Sequence, residues 1–202
     1  MYAHAKRVDN VNFAARTAWE ENLRDGAPFM FHRGSAAGTQ WIREAGALAG
    51  IADEAYDFVL SSHCLEHLAN PLGALREWQR VVKPGGHVVI VVPDPQRSFD
   101  HRRPVTTLDH LRSDWARKTP EDDSTHFSEV LALHDLSRDP DAGSTEDFRT
   151  RVAANATNRC VHHHVFDLTL LGAALTDTGW SVLARERARP VHLIAWAQKE
   201  AS

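Results

Sequence analysis

Histidine is the side chain whose ordinary pKa places a charge change between pH 5 and 8, and it is also the commonest metal ligand. This 202-residue chain carries 13 histidines, and they fall in groups. His63 and His67 flank Glu66 in SSHCLEH, and His126, Glu129 and His134 share THFSEVLALHD. His162, His163 and His164 are consecutive, and His101 opens HRRP with Arg102 and Arg103. Spacing gives each group a chemistry. His63 and His67, four apart, share a face if helical; His63 can then serve as general base on a hydroxyl or amine. For His67 and Glu66 the plainer reading is a loop bonded to its own backbone. His126 and Glu129, three apart, share a helical face, and His-x-x-Glu is a half-site for zinc, manganese or iron. His134 sits roughly 140° off that face at the 3.6-residue period, so it completes the set only where the helix breaks. His101, His162, His163 and His164 can supply the rest. In an extended 161–166 segment His162 and His164 point one way and His163 the other. His101 and His163 are further candidate bases, and Arg102 and Arg103 can grip a carboxylate or phosphate in a bidentate fork. Against a metal stands the lack of any specific zinc spacing. The alternative is a cap whose His, Arg and Asp side chains bond one another and line a polar pocket.

Composition narrows what such residues can serve. At 43% hydrophobic and 25% charged, with 9 Pro and 11 Gly, the chain is globular rather than collagen-like, disordered or disulfide-built. A net charge of −4 favours neither nucleic acid nor an anionic membrane as partner. No apolar run approaches the roughly 20 residues of a membrane span, and MYAHAKRVDN lacks the apolar core of a signal peptide. Two cysteines, Cys64 and Cys160, make no disulfide framework, so reduced thiols and a cytoplasmic location are expected. Cys64, beside Leu65, reads as a buried small residue before it reads as a nucleophile.

The elements that must hold these groups are clearest in the middle. YDFVLS (Tyr56–Ser61) predicts a strand, and Asn70-Pro71 an N-cap with proline at the first helical position. Leu72, Leu75, Trp78 and Val82 recur at helical spacing, and Lys83-Pro84-Gly85-Gly86 stops that helix. HVVIVV (His87–Val92) reads as a strand buried on both faces, as in a parallel sheet. Strand, helix and strand form a βαβ unit, hence an α/β fold. Residues 94–166 are polar and too long for a structureless loop. They predict a mainly helical, histidine-rich cap, with helices over Phe127–Leu136 and Glu146–Ala156. Asp167 caps a helix carrying Leu168, Leu171 and Leu175 that ends at Gly179. Ser181–Arg185 and Val191–Ala197 follow as a hairpin-like pair at one sheet edge. Earlier, Lys6–Phe13 reads as a short strand, Thr17–Arg24 as one or two helical turns, and Gln40–Ala47 as either strand or helix.

The order of signals from Tyr56 to Pro93 resembles the second half of class I S-adenosylmethionine-dependent methyltransferases. Asp57 opens the strand, Ser61-Ser62-His63 and Leu65-Glu66-His67 follow it, and Arg80-Val81-Val82-Lys83-Pro84-Gly85-Gly86 leads into the next. The similarity runs roughly from Arg7 to Lys199. A narrower subset shares Asp100–Pro104, Leu133–Pro140 and His162–Asp167. The resemblance implies a Rossmann-like sandwich, one domain over 1–202 with 94–166 as insert, and S-adenosylmethionine as cofactor. Asp9, Asp57, Ser61 and Ser62 would bind that cofactor, with Asp9 accepting the ribose hydroxyls, in a crevice beyond the carboxyl ends of the strands. His63, His101 or His163 would act as base and Arg103 as clamp on a small polar or sugar-like acceptor.

The N-terminal half departs from the pattern. No G-x-G-x-x-G occurs, Gly34–Gly38 follows no convincing strand and reads as a flexible turn, and Ala47 stands where an acid near the adenine is expected. Either part of the N-terminus is missing or the cofactor site has eroded. An incomplete sheet leaves open edges, which a homodimer could seal. Two other classes follow from the histidines. One is a metal-dependent enzyme on the same scaffold, with a divalent transition metal on His126, Glu129 and His134; the other is a non-catalytic binding protein.

Overall fold

A computed structural model describes residues 5–32 and 36–201. The chain forms two compact units, Met1–Gly50 and Ile51–Ser202. Gly34 and Ser35 of the predicted glycine turn lie outside the described residues.

In the first unit β1 (Asn10–Asn12) runs parallel to β3 (Gly38–Ile42), and β2 (Pro28–Phe29) pairs antiparallel with β3. Of the segment Gln40–Ala47, left open between strand and helix, Gln40–Ile42 is the end of β3 and the rest forms neither. Gly38 lies close against the chain before β1: a Cβ there would meet the Val8 carbonyl oxygen and sit 2.7 Å from Asp9 Oδ1. The helix expected over Thr17–Arg24 does not form. Thr17 Oγ1 instead accepts from the amides of Trp19 and Glu20 (3.1 and 2.9 Å). Such side-chain-to-backbone bonds compete with helix formation.

The second unit holds a four-stranded sheet of order β4-β5-β7-β6, comprising β4 (Tyr56–Ser62), β5 (Val82–Pro93), β6 (Trp180–Ala188) and β7 (His192–Lys199). β4 and β5 are parallel, and α1 (Pro71–Val81) crosses between them. Asn70 caps α1 by accepting from the Gly73 amide at 3.0 Å, with Pro71 at its start. Leu72, Leu75 and Trp78 form its buried face, as the helical spacing predicts. The helix ends at Val81, one residue before the apolar Val82 joins β5. Lys83–Gly86 is taken up in a register shift between the Tyr56–Val82 and Phe58–His87 pairs. In β5, Val88, Ile90 and Val92 are fully buried, whereas alternate residues are only partly so; the strand is buried on one face rather than on both.

β7 runs antiparallel to β5 and to β6, the predicted hairpin. It is preceded by α6 (Leu168–Asp177), which Asp167 caps at the Leu170 amide (2.7 Å). The Trp180 indole donates to the Leu75 carbonyl (3.1 Å), tying β6 to α1.

The polar insert is helical, as expected. It contains α2 (Leu108–Arg117), α3 (Phe127–Leu133), α4 (Thr145–Ala153) and α5 (Asn155–Asn158). α3 is shorter than predicted, because the chain turns extended at His134. α4 starts on a reciprocal capping box between Ser144 and Asp147. A small core of Val130, Ala142, Phe148, Val152 and Val161 holds α3, α4 and their turns together.

Candidate functional site

Strand direction decides which residues meet. β4 ends at Ser62 and β5 at Pro93, while antiparallel β7 begins at His192, directly opposite Pro93. One edge of the sheet thus gathers His63, Asp94 and His192. His63 turns the chain there with φ +50°, a left-handed conformation rarely adopted by non-glycine residues and characteristic of functional turns. Its amide donates to the Val91 carbonyl (2.9 Å).

His63 Nε2 lies 3.0 Å from His192 Nδ1, and its Nδ1 is 3.4 Å from Glu66 Oε1. The latter contact is close enough for charge pairing, though neither Glu66 oxygen accepts a hydrogen bond. Glu66, in the turn Leu65–His67, is 2% exposed, whereas the His63 ring is 37% exposed. Burial pushes the Glu66 carboxyl up, but His63, His67 and His162 together more than offset it, and the net shift is downward. A buried carboxylate, a half-open imidazole and a second imidazole therefore form a chain leading outward. The cap closes over the same turn. The His164 amide donates to the Glu66 carbonyl (3.2 Å), and His67 Nδ1 donates to the Val161 carbonyl (3.1 Å). Burial pushes His67 down to about 4.

The remaining predicted residues separate into distinct places. Ser61 is buried with its hydroxyl unpartnered, and Ser62 is exposed; both sit at the carboxyl end of β4. Asp57 does not. It lies at the amino end of β4, 83% exposed and paired with Lys83 at 2.7 Å, so it cannot line a crevice beyond the carboxyl ends. In the Met1–Gly50 unit Asp9 precedes β1 instead of ending it. Its carboxylate accepts from the Thr39 amide (2.9 Å), the Trp41 indole (3.3 Å) and Arg7 (3.1 Å). That geometry spends the oxygens a ribose would need.

Arg103 is no open clamp. Its buried guanidinium donates to Asp100 and the His162 carbonyl (both 2.9 Å) and to Glu129 (2.9 Å). His162 completes this group by donating Nδ1 to Asp100 (2.5 Å). Burial pushes the Asp100 carboxyl up, but His162 and Arg103 outweigh it and hold it at about 2. His101 bonds Asp135 (2.8 Å). His163 is fully buried against Asn155 (3.1 Å), and burial, with His126 nearby, drives it down to about 3. The expected ligand set His126, Glu129 and His134 does not converge. His126 stands at the start of α3 beside His110 without capping it, Glu129 pairs with Arg103, and His134, past the end of α3, bonds Asp139 (3.0 Å).

His192, Asp94, His110 and Asp114 escaped the sequence reading. The first two had one usable signal: a hairpin strand running antiparallel to β5 must bring its first residue to the carboxyl edge.

An α/β sheet with a parallel βαβ pair, an antiparallel hairpin edge and a helical cap over the strand ends is the architecture of the Rossmann-like S-adenosylmethionine-dependent methyltransferases. Two solved structures align over 97% of this chain. One is a SAM-dependent methyltransferase from Methanosarcina mazei (16% identity, 83% of that chain, TM-score 0.54). The other, from Listeria monocytogenes, is assigned to the same class (14% identity, 81% of that chain, TM-score 0.51). Residues 8–90 match the family model described as a methyltransferase domain. No curated protein matches the sequence significantly. The matched region contains His63, Glu66 and His67 and ends before the cap. No described helix is long and apolar enough to cross a membrane.

Proposed function

We propose that the protein is an S-adenosylmethionine-dependent methyltransferase whose acceptor, a small polar or sugar-like molecule, meets the His63–His192 pair at the carboxyl end of β4. The single observation that supports this reading is the Glu66–His63–His192 chain at the edge where ligands bind in such sheets. For the cofactor the fit is partial. Ser61, with its unpartnered hydroxyl, and exposed Ser62 suit a ligand at that edge; Asp57 lies at the other end of β4, the Asp9 carboxylate is already bonded within its own unit, and no glycine-rich turn occurs among the described residues. S-adenosylmethionine, when bound, supplies an electrophilic methyl on a sulfonium.

This chain's residues have their own task. The acceptor's N–H or O–H proton passes to the His63–His192 pair, whose shared hydrogen bond lets either ring hold it. Glu66 then faces the resulting imidazolium from the buried side, 3.4 Å from His63 Nδ1. The cap keeps water off the turn through the bonds that 161–164 makes to 66 and 67.

Titration calorimetry with S-adenosylmethionine and S-adenosylhomocysteine tests the binding half. Release of S-adenosylhomocysteine across a panel of sugars and small polar acceptors tests the rest. His63→Gln is expected to lower kcat by about 10²–10⁴-fold with KM for the cofactor little changed, the range of a lost general base. No heat with either ligand contradicts the reading, as does full turnover in His63→Gln.

A further inference from the structure

A second histidine group lies in the cap and shares no side chain with the His63 group. α2 contributes His110 and Asp114 one turn apart; His126 stands at the start of α3, and His164 lies in the segment before α6. A ligand nitrogen from each of the three histidines lies within 4.8 Å of the other two. His126 Nε2 is 3.0 Å from His110 Nε2. Asp114 Oδ2 is 3.2 Å from His110 Nε2 and 3.6 Å from His164 Nε2. Ligands at 2.0–2.1 Å in a tetrahedron stand about 3.3 Å from one another; the His110–His126, His110–Asp114 and His164–Asp114 edges bracket that value, and the three histidine nitrogens lie within 4.8 Å of one another.

Counting protons shows what the group lacks. Thr125 Oγ1 donates to Asp123 (2.6 Å), so it can only accept from His126 Nδ1, 3.3 Å away. The proton of His126 therefore sits on Nδ1, and a lone pair on Nε2 faces His110. Asp114 Oδ1 accepts from Arg117 and Thr119 (2.9 and 3.1 Å). Its Oδ2, on a side chain only 1% exposed, has no hydrogen-bond partner. Two lone-pair donors thus converge on His110 Nε2, which carries at most one proton. A buried, unsatisfied carboxylate oxygen is costly, and a cation beside it would satisfy that oxygen and the His126 lone pair; His164 Nε2, which donates to the Ala69 carbonyl at 3.4 Å, would give up that long contact to join them. The outer contacts are those that metal ligands keep: one Asp114 oxygen and the distal nitrogen of His126 are each fixed by a neighbour.

We propose that His110, Asp114, His126 and His164 bind one zinc-type divalent ion that staples α2, the start of α3 and the 161–166 segment. Imidazole with carboxylate and no thiolate suits zinc, with cobalt as its spectroscopic substitute. His110, 39% exposed, gives the ion a path in. Of the ligands read from the sequence this set keeps His126 and replaces Glu129 and His134. It shares no side chain with the His63 group, which it meets only through the backbone bond from the His164 amide to the Glu66 carbonyl, and metal uptake is read without methyl transfer.

The test uses untagged full-length protein, stripped with a chelator and titrated with zinc or cobalt alone. Elemental analysis is expected to give about one equivalent per chain, and cobalt the visible bands of a four-coordinate site. His110→Gln, at a half-exposed position that leaves the core intact, is expected to weaken zinc binding by about 100-fold or more, since losing even an outer-shell partner costs 10–100-fold. Asp114→Asn should do the same, with circular dichroism confirming its fold, while Glu129→Gln and His134→Gln should bind as the unaltered protein does. Uptake below about a tenth of an equivalent, or zinc affinity unchanged in His110→Gln, overturns the proposal.

Discussion

The sheet and the cap of the second unit are held together by different balances of apolar and charged contacts. Between β4, β5 and β7 lie backbone ladders and a face of Val88, Ile90 and Val92 that no water reaches. The cap has a small apolar core of its own, and beside it a network of charges: Arg103 with Asp100 and Glu129, His162 with Asp100, His134 with Asp139, Arg117 with Asp114. Apolar packing tolerates error, because one branched side chain can substitute for another of similar volume. A buried charge tolerates none, because removing its partner leaves it stranded. The sheet is therefore forgiving of substitution, and the charged network that carries the histidines is exacting.

Substitutions can break that contrast. Asp100→Ala strands both Arg103 and His162, and unfolding in urea is expected to show a loss of about 3–5 kcal/mol. If the cap were a loosely solvated surface, the loss would stay under about 1 kcal/mol. Ile90→Ala, cutting into the sheet face, is expected to cost about 2–5 kcal/mol, and Ile90→Val only about 0.5–1.5 kcal/mol. No such graded series is expected at Asp100. Asn70→Ala, which removes the α1 cap, should cost about 1 kcal/mol. Asp57→Asn should change stability within about 0.5 kcal/mol, as surface substitutions do.

Acid separates the two regions further. His67 is held in the fold at about 4, against an ordinary value near 6.5. An unfolded chain thus takes up this proton first as pH falls, and stability declines from about pH 6.5 towards 4. Asp100, held at about 2, contributes stability that is present above its ordinary value near 3.8 and is lost as pH falls towards 2. Amide exchange at pH 7 and pH 5 should therefore show loosening at 66–67 and 161–164, while β5 and β7 remain protected. Equal loosening of both regions would erase the distinction.

The same contrast decides how much could be read from sequence. The βαβ unit, the Asn70 cap and the closing hairpin were legible because apolar period and turn chemistry act locally. The Thr17–Arg24 helix was misread because a single hydroxyl, Thr17 Oγ1, diverts the local amides. Site residues were legible only as a pool. With 13 histidines, 23 Lys or Arg and 27 acids, many pairings satisfy charge, and only the tertiary arrangement selects among them. His126 and Glu129 have ideal helical spacing, yet each is claimed by a partner distant in sequence. His163 reads as a base and is sealed. His63 needed no long-range choice, because it follows its strand directly, and that strand's direction fixes which edge it occupies.

Amide hydrogen exchange with and without S-adenosylhomocysteine measures most directly whether the edge beside His63 is where this protein works. Slower exchange is expected at residues 61–67, at 192–194 and in the 161–164 segment that closes over them. Unchanged exchange there at saturating ligand, or protection confined to the outer faces of β6 and α6, would contradict the account.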